Sequence, residues 1–211
     1  MNIKLYYFPN TCALVPFAAL IEANVEFDVE VVNLRKREQH GDAFLSITRK
    51  HAVPVLAIGE DRLTENVAIL EWIADQFADA ALLPSGFDRY RSISLMAWFA
   101  SGVHPPLSAY QVPRHFCDLE AAEAAVRERA VARLQEFSDI AEDMLAGRQW
   151  LFDRFSIADI YLFWCLRRMV QLGIGIDEHP RCSAFFERLG ARECIRRTLE
   201  FEAATLAALP G

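Results

Sequence analysis

The chain has 211 residues, 53% of them hydrophobic and 24% charged, with a formal net charge of −7. A composition this apolar excludes a disordered tail, and the acidic balance excludes a broad nucleic-acid surface, which needs clustered Lys and Arg. No apolar run reaches the ~20 residues that span a bilayer and no signal-peptide pattern opens the chain, so a cytoplasmic protein with no membrane association is predicted.

Residues 3–7 form a β-prone run ended by Pro9 and Asn10, and residues 14–23 follow as a helix with Pro16 in its first turns, where proline is tolerated. Residues 26–34 alternate, with Phe27, Val29 and Val31 on one side and Asp28 and Glu30 on the other, as a half-buried strand does. Polar, helix-prone sequence runs to Ile47. Residues 53–58 read as a strand, Gly59-Glu60-Asp61 as a turn, and a partner strand ends near Thr64. Val67, Leu70, Ile73, Ala74 and Phe77 recur at helical spacing, making 66–78 amphipathic.

The pattern changes at Leu83-Pro84-Ser85-Gly86. Beyond it no strand is predicted. Asp88 is the expected cap of a long helix towards Gly102, which Pro105-Pro106 should kink or stop. Residues 118–145 are Ala/Glu/Arg-rich and helical, Ser156 with Asp159 forms a capping box before the apolar run 160–170, and two more helices are expected at 180–189 and 193–206. The predicted organisation is an α/β domain at 1–80, a linker at 81–87 and an all-helical domain at 88–211.

The five cysteines (Cys12, Cys117, Cys165, Cys182 and Cys194) are scattered, without a C-x-x-C pair or metal-ligand spacing, so no metal is expected. Cys12 follows a strand and precedes a helix. There it is either a small buried thiol or one whose pKa a helix N-terminus lowers. Val53-Pro54 is either the start of an edge strand or a cis bond that turns the Val53 backbone towards an extended ligand. Asn66 is a good N-cap, and Glu65 beside it would take a ligand ammonium while helix N–H groups take a carboxylate.

Tyr6-Tyr7-Phe8-Pro9-Asn10-Thr11-Cys12, Val53-Pro54-Val55-Leu56, Leu63-Thr64-Glu65-Asn66-Val67-Ala68-Ile69-Leu70 and Phe155-Ser156-Ile157-Ala158-Asp159-Ile160-Tyr161-Leu162, in this order, resemble the glutathione transferase family, and most closely its bacterial beta class. The resemblance implies a thioredoxin-like glutathione-binding domain, a helical domain forming most of the second-substrate pocket, and a homodimer. It implies that Val53, with Pro54, offers backbone to the cysteinyl part of glutathione and that Glu65 and Asn66 hold the γ-glutamyl end. Cys12 would face the ligand sulfur, with His104 near it. Lys36 and Lys50 would meet the glycyl carboxylate, or belong to a solvated charge cluster. Phe8 and Trp164 would line the second-substrate pocket. Tyr7 matches the tyrosine that serves the thiolate in other classes, although core packing is its favoured reading here. His40, His51, His115 and His179 are assigned to exposed surface.

The chain departs from the beta pattern at Phe8, where a small hydroxyl residue is usual, and at Ala52, Asn66 and Pro105, which replace Gln, Gly or Ser, and Lys. The expected function is conjugation of glutathione thiolate to small hydrophobic electrophiles, with thiol–disulfide exchange through Cys12 as a companion activity. The alternatives are a non-catalytic binding or regulatory module on the same fold and, less favoured, a zeta-like isomerase.

Overall fold

A computed structural model describes residues 1–209. They divide into two compact units. One comprises residues 1–82 together with the chain from Arg192 onwards, and the other is Leu83–Ala191.

The first unit is built on a four-stranded sheet, β1 (Ile3–Tyr7), β2 (Asp28–Val31), β3 (Val55–Ile58) and β4 (Asp61–Thr64), in the order β2-β1-β3-β4. β1 runs parallel to β2 and antiparallel to β3, and β3 is antiparallel to β4. β1 lies between two neighbours and buries four of its five residues, whereas β2 is an edge strand. β2 covers less than the expected 26–34 because its register has only Lys4 to Tyr7 to pair with.

Helix α1 (Leu14–Glu22) is apolar on nearly every side, as a helix enclosed in a core must be. The expected helical stretch before Ile47 shrinks to a 3-10 turn at Glu38–His40 and the short α2 (Asp42–Leu45), because Arg37 takes φ +58° and Gly41 is extended. The N-cap of α3 (Asn66–Gln76) is Glu65, not Asn66. Glu65 occupies the N-cap position at φ +69°, ψ 121°, without a side-chain cap.

The final helix among the described residues is α9 (Glu193–Ala208). It was expected in the helical domain, but it packs on α1. Phe17 meets Phe201 at 4.8 Å between ring centroids, and Arg192 forms an ion pair with Glu22. A contiguous 88–211 domain therefore does not describe this unit. Burying the apolar face of α1 draws the chain's last helix back to it.

The second unit is all helical: α4 (Phe87–Trp98), a π-helical turn (Phe99–Val103), α5 (His104–Gln111), α6 (Glu123–Met144), α7 (Ile157–Gln171) and α8 (Pro180–Gly190). Gly86, at φ +61°, holds the N-cap position of α4, and Asp88 sits in the first turn paired with Arg91 at 2.7 Å. Pro105 and Pro106 do not break the helical path. The π turn ends just before them, so they fall in the first turn of α5, where a missing N–H costs nothing. The capping box at α7 forms as expected. Glu142 of α6 reaches the start of α8 and accepts from the N–H groups of Arg181 and Cys182 at 3.0 and 2.9 Å.

Candidate active site

The turn after β1 sets the geometry of the first unit's candidate residues. Asn10 takes φ +61°, and Thr11 donates its hydroxyl to the Phe8 carbonyl at 2.7 Å while accepting from Ala13 N–H at 3.2 Å. Leu14 and Val15 N–H donate back to the carbonyls of Thr11 and Cys12. The first-turn donors expected to stabilise a thiolate are thus largely satisfied by the chain itself.

Cys12 lies just before the N-cap residue Ala13 and is 8% exposed. Burial pushes its thiol up to about 12, outweighing its own N–H and the Asn66 amide, which act to lower it. Of the two readings open for Cys12, the structure favours the small buried thiol: it is protonated, its Sγ 3.9 Å from the Val53 carbonyl.

The Val53–Pro54 bond is cis. Val53 precedes β3, and its N–H bonds no acceptor among the described residues. Asn66 turns inward: its Nδ2 donates to the Cys12 carbonyl at 3.0 Å, and its buried Oδ1 has no donor among the described residues. Its side chain ties α3 to the Cys12 turn, so it neither caps α3 nor points into solvent. Glu65 is the exposed member of the pair and meets Lys50 Nζ at 2.7 Å. Lys36 is exposed on the loop after β2 and makes no contact with this cluster among the described residues.

Tyr7 and Phe8 are both buried, at 0% and 7% exposure, so Phe8 is not an open wall. Tyr7 donates its hydroxyl to Glu202 Oε2 at 3.0 Å, and Asn10 N–H reaches the same oxygen at 2.8 Å. Glu202, only 2% exposed, was not singled out in the sequence. The available signal was its phase: Cys194, Ile195, Thr198 and Glu202 share the inward face of α9, and an acid there needs partners.

In the second unit, His104 opens α5 and rests edge-on against Trp164, 4.8 Å between centroids. Burial, with Arg168 nearby, lowers His104 to about 4, so it is neutral at physiological pH. Trp164, expected to line a pocket, is 2% exposed with Nε1 unpartnered; it belongs to the core and supports the His104 ring. Three of the histidines assigned to the surface have partners: the His40 and His51 rings lie tilted together, 4.6 Å between centroids, and His179 meets Asp139 at 2.9 Å. Among the described residues, no three His, Cys, Asp or Glu side chains group as a metal site, and no helix is long and apolar enough to cross a membrane.

A four-stranded sheet carrying a strand–turn–cysteine and a cis-proline strand, followed by a helical unit with the Ser156–Asp159 box, defines an enzyme class. Residues 1–75 match the description Glutathione S-transferase, N-terminal domain, and residues 124–188 match Glutathione S-transferase, C-terminal domain. The chain belongs to the glutathione transferase family and is an enzyme of that family. Among solved structures, it is 31% identical to a glutathione transferase from Methylococcus capsulatus, covering 96% of this chain and 99% of that one, with a TM-score of 0.86. It is 32% identical to the bacterial beta class enzyme of Sphingomonas chungbukensis, over 94% and 98% of the two chains, with a TM-score of 0.83. Among curated proteins, GstA of Escherichia coli O157:H7 is 29% identical over 95% of this chain and 98% of that one.

Proposed function

We propose that the protein binds glutathione along the Val53 backbone, with the ligand sulfur beside Cys12, and joins that sulfur to a small hydrophobic electrophile. The observation that carries this reading is the convergence of Cys12, Val53, Pro54, Asn66 and the Glu65–Lys50 pair around one extended main-chain segment. Val53 has a main-chain donor unused within the fold. The exposed Glu65–Lys50 pair suits a zwitterionic ligand end, the carboxylate taking an ammonium and the Lys a carboxylate. The Cys12 N–H faces that residue's own sulfur, and a ligand thiolate brought to the same point would accept from it.

In the reaction the glutathione thiol releases its proton to solvent. The sulfur lone pair forms a C–S bond, and the leaving group departs with the bonding pair of the carbon it occupied. The protein contributes proximity and a larger thiolate fraction. Cys12, protonated at neutral pH, orients the ligand sulfur and is not the attacking atom. This disfavours the companion thiol–disulfide exchange.

The test is turnover of 1-chloro-2,4-dinitrobenzene with glutathione, read by absorbance, beside calorimetric titration with glutathione. Saturable conjugation is expected, with KM for glutathione raised about tenfold or more in Glu65→Ala, since a charged hydrogen bond contributes ~1.5–3 kcal/mol. No binding at millimolar glutathione would return the protein to the non-catalytic alternative. Phe87 and Tyr90, 71% and 65% exposed, support a homodimer joined through α4.

A further inference from the structure

A second feature lies in the first unit, at the two ends of the segment that carries α2. His40 closes the 3-10 turn after β2, and His51 stands two positions before Val53. Both are exposed, and their rings lie 4.6 Å apart between centroids, tilted by 30°. His51 takes φ +54°, a left-handed conformation uncommon for a residue with a side chain.

The partner of His51 fixes which of its nitrogens can bind. The Gln39 carbonyl, 3.1 Å from Nδ1, can only accept, so Nδ1 carries the hydrogen and Nε2 keeps the lone pair of the neutral ring. Metal-binding histidines are held in this way, the second nitrogen donating to a carbonyl that orients the ring. Neither ring nitrogen of His40 hydrogen-bonds among the described residues, so its neutral ring also has a lone pair to offer.

The spacing suits a shared ion. An ion ~2.1 Å from one nitrogen of each ring stands about 3.2 Å from both ring centres, so rings set roughly 90–109° apart around it have centres ~4.5–5.2 Å apart. The observed 4.6 Å falls within that range. The tilt changes by rotation about χ2, a broad torsion open to exposed rings. Arg37 opposes a cation here, since its charge is felt at His40, whereas Lys50 beside His51 is engaged by Glu65 at 2.7 Å.

We propose that His40 and His51 together bind one divalent transition-metal ion of the zinc class, with water completing its coordination shell. Two imidazoles without a carboxylate suit zinc, nickel or copper and not calcium or magnesium. The bound ion ties residue 40 to residue 51 and closes the segment between them. The site does not depend on the conjugation reading, because neither histidine takes part in it.

The test is calorimetric titration of the full chain with zinc chloride at pH 7.5, in a non-chelating buffer and without glutathione, whose thiol would compete for the metal. One zinc per chain is expected, with a Kd on the order of tens of micromolar, about half the binding free energy of a four-ligand site. His40→Gln and His51→Gln should each weaken it about a hundredfold, half of the ligand set being lost. Both positions are exposed, so the zinc-free melt of these variants should match that of the wild type. Zinc should raise the Tm of the wild type and of neither variant. Ring nitrogen NMR should show zinc on Nε2 of His51. The double variant His115→Gln, His179→Gln should bind zinc as the wild type does.

Any of five results overturns the proposal. No zinc binds, either single glutamine variant binds as tightly as the wild type, zinc raises the melt of those variants equally, the coordinating nitrogen of His51 is Nδ1, or the double variant loses the zinc.

Discussion

Cys12 is the residue on which the two glutathione chemistries divide, and its environment makes a quantitative prediction. With the thiol pushed from 9.0 to about 12, roughly one molecule in 10⁵ carries a thiolate at pH 7, against about one in 10² for the ordinary value. Thiolate is the reactive form, so alkylation and disulfide attack at Cys12 should be slower than at an unperturbed cysteine by about three orders of magnitude. The assay is iodoacetamide labelling followed by peptide mass spectrometry, with half-buried Cys117 as internal reference. The Cys12 rate should still climb about tenfold per pH unit between pH 8 and 10. Correspondingly, Cys12→Ser should keep conjugation within about threefold, because the hydroxyl can make the same contact with Val53. Labelling of Cys12 at pH 7 as fast as Cys117 would refute the argument, and so would loss of conjugation in the serine variant.

Three further outcomes follow from other sites. Asp159 accepts from Leu151 N–H and Ser156 N–H at 2.8 Å each, yet burial raises its carboxyl from 3.8 to about 6. The folded state holds this proton more tightly than the unfolded one, so the contribution is full below pH ~4 and is lost as pH rises through about 6, by up to roughly 3 kcal/mol. Urea denaturation at pH 4.5 and 7.5 should show about 2 kcal/mol of that difference in the wild type and a flattened one in Asp159→Asn. His104, lowered to about 4, should titrate in NMR well below the ordinary histidine value, and a midpoint near 6.5 would contradict its burial. Phe87→Glu with Tyr90→Glu should convert a dimer to a monomer in light scattering with the helical content unchanged, whereas a persistent dimer would move the interface elsewhere.

Local signals exposed much of this architecture before the structure did. The strand 3–7, the apolar helix beginning at Leu14 and the Ser156–Asp159 box follow from periodicity and capping chemistry, which act within a few residues of one another. What escaped depends on distant partners. Asn66 has the chemistry of a cap, but the Cys12 carbonyl, 54 positions away in sequence, claims its amide. Glu202 is bound to Tyr7 and Asn10 across 195 and 192 positions, so no window along the chain reveals it. The protonated state of Cys12 likewise follows from burial, which its place before a helix left undecided against a lowered pKa. At the glutathione site, the residue types were legible, but the direction each side chain takes was not.

The π turn at Phe99–Val103 has a consequence for how this chain can change. Each residue advances an α-helix by about 100° of rotation, so the count of residues in that turn sets where His104 points. The Trp98 indole lies 2.7 Å from where a side chain at Gly102 would begin, so the turn is held shut by the packing over it. Losing a single residue there would restore α-helical spacing and leave Pro105 and Pro106 inside one continuous helix, where their missing N–H groups and rings break the ladder. The length of this stretch, and not only its side chains, is therefore part of what lets the chain carry a proline pair there.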